Sequence, residues 1–100
     1  MSAYVIVSYD ITDPEGYQPY VPGVIPLLAK HGGEVLVAAQ DATVLEGAPR
    51  TTEVVLRFAD EATALAWYND PAYVEVRKIR QAASANTRMV VARAFAPPGH

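Results

Sequence analysis

Residues 58–80, FADEATALAWYNDPAYVEVRKIR, constrain the fold more tightly than any other stretch. Phe58 closes a strand and Asp60 caps a helix. Asp70-Pro71 then restarts a helix as a cap followed by a first helical residue, where proline's missing amide is tolerated. A strand feeding two short helical pieces and then another strand is a crossover over one sheet face. In the first piece Ala62, Leu65, Ala66 and Asn69 share the expected inner face, which turns Trp67 well away from it. In the second, Ala72, Val76, Ile79 and Ala83 form an apolar stripe flanked by Tyr73 and Arg80.

The remaining elements follow from periodicity. Residues 3–11 are rich in Tyr, Val and Ile and predict a strand. Val5, Val7, Tyr9 and Ile11 lie on one face, and Tyr4, Ile6, Ser8 and Asp10 on the other. Both faces are largely apolar at the N-terminal end, as in a strand covered on both sides. From Tyr17 the spacing of Tyr17, Tyr20, Val21, Val24, Leu27, Leu28 and His31 is helical, but Pro19, Pro22 and Pro26 interrupt it. An irregular turn opening at Asp13-Pro14 is therefore expected, with the regular helix starting at Pro19 or later. His31-Gly32-Gly33 ends that helix through a left-handed glycine cap. Residues 34–40 predict the second strand, continued over 43–45 after a bulge. Residues 52–58 predict the third strand, and 89–95 the last, after a loop over 84–88. Residues 1–96 are read as one domain and 97–100 as a flexible tail.

The order βαββαβ with two right-handed crossovers predicts an α+β, ferredoxin-like sandwich: a four-stranded antiparallel sheet with two helical segments on one face. Its other face carries Tyr4, Ile6 and apolar residues of the last strand. With 51% hydrophobic and only 19% charged residues, the chain has apolar surface left for a partner. A symmetric homodimer stacking sheet on sheet covers it.

Several function classes are disfavoured. The net charge is -3 with no Lys/Arg block, and the third strand lacks the paired aromatics of an RNA-stacking sheet, so nucleic acid is not an expected partner. The start has neither a basic n-region nor a long apolar run, so neither a signal peptide nor a membrane span is expected, and the location is read as cytoplasmic. Cys is absent, and there is no His-rich cluster, Gly-rich phosphate loop or nucleophile elbow. No metal or cofactor is expected.

Tyr17-x-x-Tyr20-Val21, His31-Gly32-Gly33, Leu45-Glu46-Gly47, Phe58, Ala66-Trp67-Tyr68-x-x-Pro71-x-Tyr73 and Arg80 together resemble, in order and spacing, the DUF1330 family over nearly the whole chain. The resemblance implies a place in the dimeric α/β-barrel superfamily, which includes cofactor-free monooxygenases and muconolactone isomerase-type enzymes. It implies a ferredoxin-like homodimer with a pocket between sheet and helices, and no established activity. The chain departs from the usual family pattern at Ala38, where members commonly carry Arg, and at Arg57, where they commonly carry Glu.

The candidate catalytic residues are His31 and Glu46. His31 is the single histidine of the chain body, with an ordinary pKa of about 6.5 suited to acid/base work; its alternative is a helix-ending residue bonded to a carbonyl or carboxylate. Glu46 lies before Gly47 in a loop, where functional groups often sit, or is a turn residue in solvent. The candidate ligand-binding residues are Asp10, Tyr17, Tyr20, Trp67, Tyr68, Tyr73 and Arg80. A pocket of Tyr and Trp suits a small apolar or aromatic ligand; the competing roles are core packing for the aromatics and capping for Asp10. Arg80 falls on the inward side of its helix and needs a partner there: Glu46, Asp10 or a carboxylate on a bound ligand. Otherwise its stem covers apolar surface while the guanidinium reaches water. Two functions follow: a cofactor-free small-molecule enzyme doing proton transfer or oxygenation, or a non-catalytic dimeric module that binds a small ligand or assembles.

Overall fold

The computed structural model describes residues 1–96; the expected tail at 97–100 lies outside them. The elements are β1 (Ala3–Ile11), α1 (Pro14–Tyr17), α2 (Tyr20–Lys30), β2 (Glu34–Ala39), β3 (Thr52–Phe58), α3 (Glu61–Tyr68), α4 (Pro71–Ala82) and β4 (Ser84–Arg93). The strands form one antiparallel sheet in the order β2-β3-β1-β4. This is the ferredoxin-like α+β sandwich that the element order predicts.

Alternation along β1 decides the layers. Val5, Val7 and Tyr9 are buried against the helices, while Ile6 on the opposite face is 41% exposed. Leu56 and Phe58 of β3 join the same inner layer, and α2 lays Tyr20, Val24 and Leu28 onto it. The prolines set the break before α2. Asp13 caps α1 by accepting from the Gly16 amide at 3.1 Å, and Pro19 is the N-cap residue of α2. Pro22 falls in the first turn of α2, where its missing amide would have had no intrahelical partner; only Pro26 lies in the interior. At the other end Gly32 takes φ +70° and the Gly33 amide donates to the Leu28 carbonyl at 2.8 Å, a left-handed glycine cap. A Cβ on Gly33 would stand 2.9 Å from the Phe58 ring, so the helix end sits directly on the core.

Several expectations differ from the structure. In α4 the buried positions are Tyr73 and Arg80 rather than a stripe they flank, with Ala72 exposed. The last strand ends at Arg93 rather than at 95. In α3 the buried positions are Ala64 and Trp67, each 1% exposed, while Leu65 is 44% exposed. Small or apolar residues occupy nearly every position of this short helix, so periodicity does not select a face. The Trp67 ring selects it, packing 4.2 Å from the Tyr73 ring and 5.4 Å from Phe58, centre to centre. Residues 43–45 do not continue β2, because its last pairing is Ala39 with Glu53 and β3 begins at Thr52; beyond that no strand is alongside. The bulge lies instead between Val35 and Val37. Residues 84–88 are strand rather than loop, because β1 runs on to Ile11 and pairs Ile11 with Ser84. The irregularity between Ser8 and Asp10 is accommodated by Asn86 at φ 57°, a conformation Asn tolerates better than most residues.

Candidate functional site

Between α2 and the inner face of the sheet lies a cavity of about 150 Å³. Its sheet side comes from all four strands, its helical side from Tyr17, α2 and Trp67 of α3, and Arg80 reaches into it from α4. Val21, Ile25 and Val35 line it while remaining 48%, 50% and 47% exposed, so the mouth opens between α2 and β2.

Arg80 is 2% exposed and forms no ion pair among the described residues. Its Nε is buried without a hydrogen-bond partner. The guanidinium carbon lies 5.7 Å from the Tyr9 ring centre and 5.8 Å from that of Tyr20. Burial works against its charge, but the neighbouring Tyr73 and Tyr20 outweigh that effect and hold its pKa above the ordinary value. The expectation of an inward Arg80 holds, and neither Glu46 nor Asp10 is its partner.

The phenols around it come in hydrogen-bonded pairs: Tyr9 with Tyr17 at 2.5 Å and Tyr20 with Tyr73 at 2.7 Å between hydroxyl oxygens. A hydroxyl carries one hydrogen, so each pair spends one and leaves the other uncommitted. Burial, and then the Tyr17 hydrogen bond, pushes the Tyr9 phenol well above its ordinary pKa against the opposing pull of Arg80. Burial and then Tyr73 do the same for Tyr20. Both remain neutral donors.

The other sequence candidates fall elsewhere. His31 ends α2, and its Nε2 lies 2.8 Å from Asp70 Oδ2, which also accepts from Lys30 Nζ at 2.9 Å. Asp70 Oδ1 accepts from the Ala72 amide, so one carboxylate caps α4 and ties it to the end of α2. Hydrogen bonds from His31, then Lys30, then Ala72 hold the Asp70 carboxyl well below the usual range. Neither His31 nor Asp70 lines the cavity. Glu46 is exposed in the segment between β2 and β3. Asp10 accepts from the Thr51 amide at 2.9 Å and the Asn86 side chain at 2.8 Å, locking the far ends of three strands together. The Asn86 bond and then the Thr51 amide hold its carboxyl below the ordinary value.

Of the aromatics, Tyr17, Tyr20 and Trp67 line the cavity, and Tyr73 backs Tyr20 from behind. Tyr68 borders a separate hollow of about 230 Å³ beside α3 and carries the Arg77 guanidinium 4.2 Å above its ring. Among the described residues no charged side chain lines that hollow. Trp67 touches both spaces, and its indole Nε1 is buried without a partner. Tyr9 was not among the candidates, although the alternation Val5-Val7-Tyr9 puts its ring on the inner face. Among the described residues the lining contains several donors and a cation but no carboxylate or imidazole. Such a lining can stabilise negative charge. Among the described residues no cluster of His, Asp or Glu could hold a metal ion, and no helix is long and apolar enough to cross a membrane.

Fold and cavity together define a small ferredoxin-like protein with a ligand-sized space between its helices and its sheet. The chain belongs to the DUF1330 family, a domain of unknown function whose model matches residues 2–95. Among solved structures it is similar to the RPA0582 protein of unknown function from Rhodopseudomonas palustris, at 20% identity, 96% coverage of this chain, 84% of that one and a TM-score of 0.81. It is also similar to a dimeric ferredoxin-like protein of unknown function from Jannaschia sp. CCS1, at 15% identity, 94% and 100% coverage and a TM-score of 0.66. A third is SnoaB, a cofactor-independent oxygenase from Streptomyces nogalater, at 10% identity, 99% and 98% coverage and a TM-score of 0.65. No curated protein matches the sequence.

Proposed function

We propose that this protein is a homodimer that binds a small organic molecule in the cavity over Arg80. One observation carries the reading: a guanidinium 2% exposed, without an ion-pair partner among the described residues, lines a tyrosine-rich cavity that opens to solvent. The phenols of Tyr73 and Tyr20 favour the charge but are neutral and leave Arg80 Nε buried without an acceptor, and an anionic group on a bound ligand would complete its pairing. Binding is favoured over His31- or Glu46-based catalysis, because those two side chains lie apart from Arg80 and from the cavity. A thermal-shift screen of small organic molecules tests the reading, since a ligand selective for the native state raises the melting temperature. A saturable rise that disappears in Arg80→Met is expected; a library without a single stabilising compound contradicts it.

The homodimer is supported by the outer sheet face. Ile6 sits between Val55 and Val90, with Val37 beyond Val55 and Tyr4 beside Ala92. The Arg57–Glu34 pair, Glu53 and Arg88 surround this apolar centre with charge, the pattern of an interface with a polar rim. The Jannaschia protein is described as dimeric.

A cofactor-free oxygenase or proton-transfer enzyme is the second reading. It is favoured by the donor-rich lining, which would stabilise an anionic form of a substrate, and by the fold likeness to the SnoaB oxygenase. Oxygen uptake with a bound ligand and no added cofactor would distinguish it from simple binding.

A further inference from the structure

Resting on that cavity being a ligand site, we infer that its ligand is a small apolar monocarboxylate, a single ring or short branched chain, with its carboxylate on Arg80. The first ground is charge. Among the described residues the cavity holds one buried cation and no acidic side chain. A single negative charge balances it, whereas a dianion such as a phosphate monoester leaves an excess in a low-dielectric space.

The second ground is the hydrogen-bond inventory. Arg80 Nε–H is unpartnered, and each of the pairs Tyr9–Tyr17 and Tyr20–Tyr73 leaves one hydroxyl hydrogen uncommitted. Spare donors with no charged acceptor match a carboxylate, which accepts through both oxygens and donates nothing. A ligand rich in donors, such as a sugar or an amine, finds little to pair with.

The third ground is size and polarity. A volume of about 150 Å³ is that of a cavity known to hold a benzene ring. Away from Arg80 and the phenols the lining is Val, Ile, Leu, Ala, Met and the Trp67 ring. The mouth is apolar, at Val21, Ile25 and Val35, whereas Arg80 is fully enclosed. The carboxylate therefore enters first and the hydrocarbon end fills the space toward the mouth.

Calorimetric titration of the full chain with benzoate, benzamide and toluene tests this. Benzoate and benzamide have nearly the same shape and differ in charge and in the donors benzamide adds. Benzoate is expected to bind saturably and benzamide about tenfold or more weakly, because the amide leaves the guanidinium uncompensated. Arg80→Gln is expected to abolish benzoate binding. Should that variant fail to fold, Ala38→Phe, an exposed position at the mouth, is expected to keep the parent melting temperature and block benzoate. Equal affinity for benzoate and benzamide overturns the carboxylate inference and leaves the cavity as a ligand site. Absence of binding by all three overturns both. Undiminished benzoate binding by a folded Ala38→Phe puts the ion outside the cavity and overturns the inference.

Discussion

Arg80 carries most of the account, and its substitution is the first test. Because no acidic side chain among the described residues pairs with it, removing the guanidinium leaves no orphaned carboxylate there. Arg80→Met keeps the stem and removes a buried charge. The phenols of Tyr73 and Tyr20 favour its charge, so in the absence of ligand we expect it to lose about 1 kcal/mol, which is roughly 4–8 °C for a domain of this size. Lys78→Met, at an exposed lysine bonded to Glu75, serves as the control and should stay within about 0.5 kcal/mol. A large loss of stability in Arg80→Met would instead mean that an acid pairs with Arg80. The tyrosines give a second residue-scale test. Tyr9 and Tyr20 are raised above their ordinary value of 10.0 by burial, so the unfolded chain releases their protons first. Stability should therefore fall as pH rises above that value. Ultraviolet difference titration should find fewer than six phenols ionising in the folded protein near pH 11; six titrating together without unfolding would contradict the buried pairs.

At the scale of elements, Asp70 is the main joint. Its carboxylate caps α4 and receives His31 and Lys30 from the end of α2. Its native pKa is lowered, so its contribution is fully present above the ordinary aspartate range and is lost as pH falls through the native value. Asp70→Asn should lower the melting temperature at neutral pH, and the difference from the parent should shrink in strong acid; a pH-independent difference would contradict this linkage. Trp67→Ala should cost about 3–5 kcal/mol by chemical denaturation, as for other buried aromatics, and a cost under about 1 kcal/mol would count against its core position. The sequence made the strand-helix order legible because β1, β3 and α2 each show a clear period, and because Asp13, Pro19, Asp70 and Gly32 punctuate their ends. It did not make the α3 face legible, since a helix apolar on most sides is oriented by what it meets, here Phe58 and Tyr73. It did not give the start of β4 either, since pairing there depends on how far β1 extends. Within the site, the inward turn of Arg80 followed from helical phase. The role of Tyr9 was legible only as a place on the inner face of β1. For His31 the helix-ending role bonded to a carboxylate is the one the structure shows, although the sequence does not single out Asp70 as that carboxylate.

For the whole molecule, the Cα trace is only 16 Å thick along its shortest axis, a two-layer slab with helices on one face and bare sheet on the other. The proposed dimer covers that bare face. Sedimentation at micromolar concentration should give twice the chain mass, and Ile6→Asp, at the centre of the face, should yield a folded monomer; a monomeric parent would contradict the dimer. Cavity and interface lie on opposite faces of the same sheet, so that monomer should still bind benzoate. The central claim, that Arg80 at the closed end of the cavity is the ligand's partner, is tested most directly by the NMR signal of its Nε–H. That proton is buried and without an acceptor in the free protein. On titration with benzoate it should move downfield as a charge-assisted hydrogen bond forms, saturating together with the calorimetric isotherm. An Arg80 Nε–H signal that stays in place while benzoate saturates the protein would contradict the account.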